Sequence, residues 1–193
     1  MPRPKEFDRD EVLDRALEAF WTHGYEATSM QDLVEAMGIH RGSLYDTFGD
    51  KHALFLAALD RYERVWVSRV VERLEEEGAL REVLRRIFDE VVQEAASCSP
   101  RRGCLTTNSA VELAPRDPRV AARVAAAFGR VEEAFCTALT RAREHGEFGG
   151  DLDPRAVARF LTSSIQGLRV LARSGAERGT LRDVVDVTLR VVG

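Results

Sequence analysis

The sequence is poor in cysteine and proline, has no excess of positive charge, and contains no long apolar run. Three Cys among 193 residues do not make a disulfide framework. Six Pro, gathered with Gly at a few places rather than every ten residues, argue against a sheet protein punctuated by turns. No apolar stretch approaches the ~20 residues of a bilayer span. The opening Met1-Pro-Arg-Pro-Lys-Glu6 lacks the apolar centre of a signal peptide, so a cytoplasmic chain with no membrane partner is expected. The four His (His23, His40, His52, His145) show no metal-ligand spacing. No nucleophile has an identifiable His base, no Gly-rich loop is built for phosphate, and Glu132 and Glu133 point to different sides of a helix. These absences speak against an enzyme and against a resident metal or cofactor.

What is present is helical periodicity. Leu13, Ala16, Leu17 and Phe20 form a first stripe at i, i+3, i+4 and i+7, capped by Asp8 or Asp10 and ended by Gly24. A long helix is expected from Lys51 to about Glu76 behind an Asp50 cap. Others follow over Leu80 to about Ser97, Cys104 to Leu113, Pro118 to about His145, and from Pro154 to the Ser174-Gly175 break. Thr180 is expected to cap the last. The sum is an all-α chain of about nine helices. It is expected to divide into a first helical unit, residues 1–52, and a second, residues 53–193.

The stretch from Thr28 to Phe48 carries the function. Met30, Leu33, Val34 and Met37 share one face of a short helix that Thr28 or Ser29 can cap, and Gly38 sits where a left-handed residue ends it. A second short helix begins near His40 or Arg41. It turns Leu44 and Phe48 inward and Arg41, Ser43, Tyr45 and Thr47 outward. Two helices joined by a tight Gly turn are the parts of a helix-turn-helix, whose second helix enters the DNA major groove. Charge does not help: the net charge is −4, and the first 52 residues hold eleven acidic side chains against six basic ones. Binding must therefore rest on a few placed donors and on helix N-termini facing phosphates. The Pro2–Lys5 arm, with Arg3 and Lys5, is either a DNA contact or a frayed end.

The first 60 residues resemble the TetR family of bacterial transcriptional repressors. The resemblance is carried by Phe20-Trp-Thr-His-Gly24-Tyr25, Thr28-Ser29, Leu33-Val-Glu-Ala-Met-Gly38-Ile39, Arg41-Gly-Ser-Leu-Tyr-Asp-Thr-Phe48 and Asp50-Lys51-His-Ala-Leu54. It implies a homodimer on near-palindromic double-stranded operator DNA, released when a small-molecule effector in the C-terminal part changes the spacing of the recognition helices. On the resemblance, Arg41 and Gln31 match base-reading positions, and Gly42 lets the backbone approach. Ser43 and Tyr45 match contacts to phosphate or base edges, and Thr47 and Lys51 match phosphate contacts. Met30 has no hydroxyl, so Thr28 and Ser29 must serve at the head of the preceding helix. Asp46 departs from the basic or neutral residue expected there.

The last two helices supply the expected dimer interface: Phe160, Ser164, Gly167, Leu168, Leu171, Val184, Val185 and Thr188. Small residues admit a close partner, and a terminal helix apolar on most sides needs cover. The alternative is that both helices are buried within one monomer. An effector cavity between the central helices would draw on Trp66, Phe88, Asn108, Phe128 and Phe135, each of which ordinary core packing also explains. Cys104 follows Arg101-Arg102-Gly103 at a helix start, where guanidinium groups and the helix N-terminus lower a thiol pKa. An oxidant or electrophile sensor at Cys104, resolved by Cys98, is the alternative signal to a bound effector. Cys136, on an apolar face, reads as core.

Overall fold

The computed structural model describes residues 7–76, 78–97, 102–149 and 151–192, and among these the chain is helical with no strand. The Pro2–Lys5 arm, Cys98 and Arg101 lie outside the described residues. Helix α1 runs Arg9–His23, with the Asp8 carboxylate accepting from the N–H groups of Asp10 and Glu11. Helix α2 is Met30–Met37, opened by a reciprocal capping box between Ser29 and Asp32 and closed by Gly38 at φ 65°. Helix α3 is Arg41–Phe48.

The fourth rod is continuous but not uniform. It consists of α4, Lys51–Tyr62, a π turn, Glu63–Val67, and α5, Ser68–Glu75. A π turn inside a helix inserts a residue and marks functional sites more often than chance. Then come α6, Leu80–Ser97; α7, Leu105–Glu112; α8, Pro118–Glu144; α9, Pro154–Ser174; and α10, Arg178–Leu189, with a final 3₁₀ turn Arg190–Val192. Counting the fourth rod once, the described residues form nine helices, as the periodicity predicts.

Two boundaries differ from expectation. Helix α10 begins at Arg178 behind Glu177, so Thr180 lies inside it and caps nothing. Gly175, at φ 98°, turns the chain while the Ala176 N–H bonds back to the Leu171 carbonyl. That compact turn lets the next helix start early. Cys104 is the extended residue preceding α7 rather than a member of its first turn.

The buried side chains fall into two cores that meet along the π turn. The first joins α1 to α4 and takes in Cys104, Leu105, Leu113, Val120 and Val124. The second is built from α5, α6, α8, α9 and α10. The helix-turn-helix core thus extends beyond the 52/53 boundary: Leu54, Phe55, Leu59 and Tyr62 of α4 close it. Three side chains cement the junction. Trp21, Tyr62 and Trp66 pack with ring centroids 5.0–5.2 Å apart, and the Trp21 indole N–H donates to the Gly103 carbonyl at 3.0 Å.

Helices α9 and α10 correct the expected dimer face. Leu168, Val185 and Thr188 are buried inside the subunit, with Leu161, Ile165 and Leu181. Sequence periodicity counts apolar positions but does not say which side of an all-round apolar helix meets its own chain. Phe160, Gly167 and Leu171 are exposed, and Ser164 and Val184 half-buried. Val170 and Val187 join them at the surface, so four of the seven large exposed apolar side chains among the described residues lie on these two helices.

Candidate DNA-binding face and signal cavity

Helices α2 and α3 present a polar surface. Gln31, Arg41, Gly42 and Tyr45 are exposed, and Ser43 is half-buried. The Arg41 guanidinium lies over the Tyr45 ring, 5.8 Å from its centroid, which aligns the two side chains along one ridge. No side chain caps α3 at His40, so its first N–H groups remain open to a phosphate. Lys51, in the first turn of α4, rests its ammonium 4.3 Å from the centroid of Tyr25. The exposed Ser29 hydroxyl already accepts from the Asp32 N–H.

Two expected DNA contacts are corrected. Thr28 is fully buried, and its hydroxyl donates to the Gly24 carbonyl at 2.6 Å. It locks the corner between α1 and α2 and offers no exposed hydroxyl. Thr47 is not turned outward as expected; its hydroxyl is sealed from solvent without a hydrogen-bond partner. The Thr47 reading took helical phase without the neighbouring helix, and the Thr28 reading took its hydroxyl without the Gly24 carbonyl.

Much of the acidic balance of this unit is taken up by helix caps and by arginines, three of them from beyond residue 52. Asp8, Asp32 and Asp50 cap helices. Glu11, Asp14, Glu18 and Glu26 pair with Arg15, Arg61, Arg102 and Arg116. A carboxylate held by a guanidinium or by backbone N–H groups projects little field toward a phosphate. Asp46 remains exposed on α3.

Helix α7 links this face to the interior. At its far end the Glu112 carboxylate accepts from the N–H groups of Tyr25 and Glu26, at 3.1 and 2.8 Å, and so grips the α1–α2 corner. A further tie joins His52 of α4 to Asp117 ahead of α8. At its near end Cys104 and Thr106 line a small cavity with Tyr62, Trp66, Phe128, Val131, Ile165 and Arg169. A larger cavity of about 340 Å³ shares Trp66, Val70 and Arg169 with it and reaches out between α5 and α6.

Of the expected cavity residues, Trp66, Phe128 and Cys104 line the inner space. Phe88 and Phe135 do not: both are fully buried in the second core. Asn108 is also elsewhere, its amide donating to the Arg102 carbonyl at 2.9 Å.

The surroundings of Cys104 differ from those its sequence neighbours suggest. Arg102 pairs with Glu18 and covers Trp21 instead. The cation near the thiol is Arg169 of α9, whose Nη1 donates to the Tyr62 hydroxyl at 3.1 Å; that hydroxyl stands 3.6 Å from Cys104 Sγ. Burial pushes the thiol pKa up, but the Arg169 guanidinium and the Thr107 N–H outweigh it and hold the thiol below its usual value. Burial likewise opposes the charge on Arg169, and Tyr62 and Cys104 more than restore it. Burial lifts the Tyr62 phenol well above its usual value, so it stays a donor. Sequence reasoning missed Arg169 and Glu112. The place of Arg169 at i+4 from Ile165, beside the buried stripe of α9, signals burial but not its partner.

Comparison with known proteins agrees with the helix-turn-helix and the all-helical fold. Residues 12–58 match the model "Bacterial regulatory proteins, tetR family", and residues 78–186 match "Tetracyclin repressor-like, C-terminal domain". The chain is 42% identical to the uncharacterized HTH-type transcriptional regulator YezE of Bacillus subtilis, with all of both chains covered. It is 35% identical to the HTH-type transcriptional repressor ComR of Escherichia coli, over 98% of this chain and 90% of that one. Among solved structures, the regulator CifR, as a cysteine mutant complexed with 26bp double-strand operator DNA, superposes with a TM-score of 0.87. The identity is 33%, over 99% of this chain and 100% of that one.

Proposed function

The chain belongs to the TetR family of bacterial regulatory proteins and is a DNA-binding transcriptional regulator; from that premise we propose that it is a homodimeric repressor of a near-palindromic operator, released by a signal received at the cavity beside α7. The observation that carries this reading is the path through α7. One helix touches the cavity with its first turn and the helix-turn-helix with its last. Arg41 and Gln31 would read bases, with guanine O6/N7 and adenine N6/N7 as their matching edges. Ser29, Ser43, Tyr45 and Lys51 would hold backbone. The protein works in the cytoplasm and performs no catalysis. None of its helices, among the described residues, is long and apolar enough to cross a membrane.

Dimerisation would use Phe160, Ser164, Gly167, Val170, Leu171, Val184 and Val187. It sets two recognition helices about 34–36 Å apart, one turn of B-DNA, or a multiple of that. Leu171→Glu buries a charge on each side of this contact and is expected to weaken the dimer by about 3 kcal/mol or more, over a hundredfold in Kd. Light scattering should then find a monomer of unchanged helicity; an intact dimer would move the interface elsewhere.

Lys51→Ala is expected to weaken operator and unrelated DNA alike and to lower the salt slope by about one unit per subunit. An effect confined to one sequence would make Lys51 a base reader.

The signal is read in two ways. A small effector fits the outer cavity, whose volume lies at the lower end of ordinary ligand sites. Oxidant or electrophile sensing through Cys104 is favoured by the charged Arg169 near its thiol. Titrating operator-bound protein with mild oxidant separates them: release by wild type and not by Cys104→Ser supports the cysteine, and equal release in both removes it.

A further inference from the structure

The inner cavity measures about 30 Å³, lined by Cys104, Tyr62 and Arg169 on its polar side and by Phe128, Val131 and Ile165 on its apolar side. That is room for one or two water-sized groups and about a tenth of an ordinary ligand site. Trp66, Val70 and Arg169 stand between it and the outer cavity, lining both. One polar atom there is unsatisfied. Arg169 Nε is sealed from solvent and lacks a hydrogen-bond partner, although Nη1 is engaged by Tyr62. A buried N–H with no acceptor is rare and calls for one.

We propose that Cys104 is oxidised by small peroxides to a sulfenic acid whose new oxygen fills the inner cavity and accepts the Arg169 Nε–H bond, while bulky oxidants and electrophiles are excluded by size. This inference rests on the cysteine reading of the signal and names its oxidant class. In the step, the sulfur lone pair attacks one peroxide oxygen. The S–O bond forms as the O–O bond breaks, and the departing hydroxide takes up the proton lost by the thiol and leaves as water. Sulfur loses two electrons and the peroxide gains them, one peroxide in and one water out. The lowered thiol pKa supplies the nucleophile, and Arg169 acts as a positioning residue for the product oxygen. Because Cys104 immediately precedes α7, an oxygen that draws its side chain toward Arg169 also draws on the helix that ends at Glu112.

The test uses the full-length chain with Cys98→Ser and Cys136→Ser, so that Cys104 is the reporter. Hydrogen peroxide, tert-butyl hydroperoxide and N-ethylmaleimide are compared by intact mass with dimedone trapping, and operator release is followed in parallel by fluorescence anisotropy. Hydrogen peroxide is expected to form the trapped sulfenic acid at least about tenfold faster than the tert-butyl compound, to release operator, and to leave Cys104→Ser unaffected. The maleimide should spare Cys104 in the folded protein. Arg169→Lys keeps the charge, removes the secondary N–H and should lower the yield of trapped product. Equal rates for the two hydroperoxides, or maleimide labelling as fast as in denatured protein, would overturn size selection and leave the cysteine reading standing. Absence of any oxygen on Cys104, or release in Cys104→Ser, would overturn both. The wild-type comparison of oxidants needs no variant, so poor folding of Arg169→Lys does not blunt it.

Discussion

Arg41→Ala is expected to weaken operator binding by about 2–6 kcal/mol per dimer, while binding to unrelated DNA changes little. Each bidentate Arg–guanine pair is worth about 1–3 kcal/mol of discrimination, and a two-fold symmetric complex loses it twice. Arg41 earns this role by position. It is the first residue of α3, exposed, aligned along the Tyr45 ring, and next to Gly42, which brings no side chain between helix and groove. Tyr45→Phe keeps the ring and should cost less. Competition binding against an operator with one half-site base pair changed is the check. A site that ceases to discriminate at one position per half-site supports base reading. An equal loss on all DNA would make Arg41 a phosphate contact.

Glu112→Ala is expected to uncouple the cavity from the DNA-binding face. The carboxylate makes two charge-assisted bonds to the Tyr25 and Glu26 N–H groups, each of a kind that contributes about 1.5–3 kcal/mol where water is excluded. One of the two faces solvent, so a loss of about 2–4 kcal/mol in urea unfolding is expected. The greater effect falls on regulation. If signal and operator are coupled by 1–3 kcal/mol, a 5–150-fold change in affinity, the variant should show little of it. Glu112→Gln retains one acceptor and should lie between. Operator affinity measured with and without the signal gives the ratio directly; an undiminished ratio in Glu112→Ala would remove α7 as the link. The corner is crowded as well: a Cβ on Gly24 would stand 3.0 Å from the Glu112 carboxylate, and Gly24 already has φ 85°, so Gly24→Ala should disturb the same contact.

Local features of this fold could be read without coordinates, and contacts distant in sequence could not. The Ser29 cap, the left-handed Gly38 and the inward Leu33, Met37, Leu44 and Phe48 are properties of a few neighbouring residues, so periodicity and capping chemistry reveal them. Thr28 shows the limit. Its hydroxyl suits a helix cap or a phosphate, and only the Gly24 carbonyl one turn back decides against both. On α9 and α10 the apolar pattern admits two faces. Leu168, Val185 and Thr188 go to the subunit's own core, and Phe160, Val170, Leu171 and Val187 stay outside. The cavity was legible only at Trp66, Phe128 and Cys104. Its charge comes from Arg169, sixty-five positions beyond Cys104, and no local pattern announces such a pairing. The acidic balance, which by composition alone opposes DNA binding, is explained by helix caps and by ion pairs to Arg61, Arg102 and Arg116, two of them reaching across to the second half of the chain.

The central claim is that two copies of α3, held at fixed separation, read one symmetric DNA site. Selection of binding sequences from a random duplex library with the purified full-length protein tests it most directly. An inverted repeat with half-site centres one helical turn apart, about 10–10.5 base pairs, or a multiple of that, is the expected result. Recovery of no enriched sequence, or of a single unrepeated motif, would contradict it.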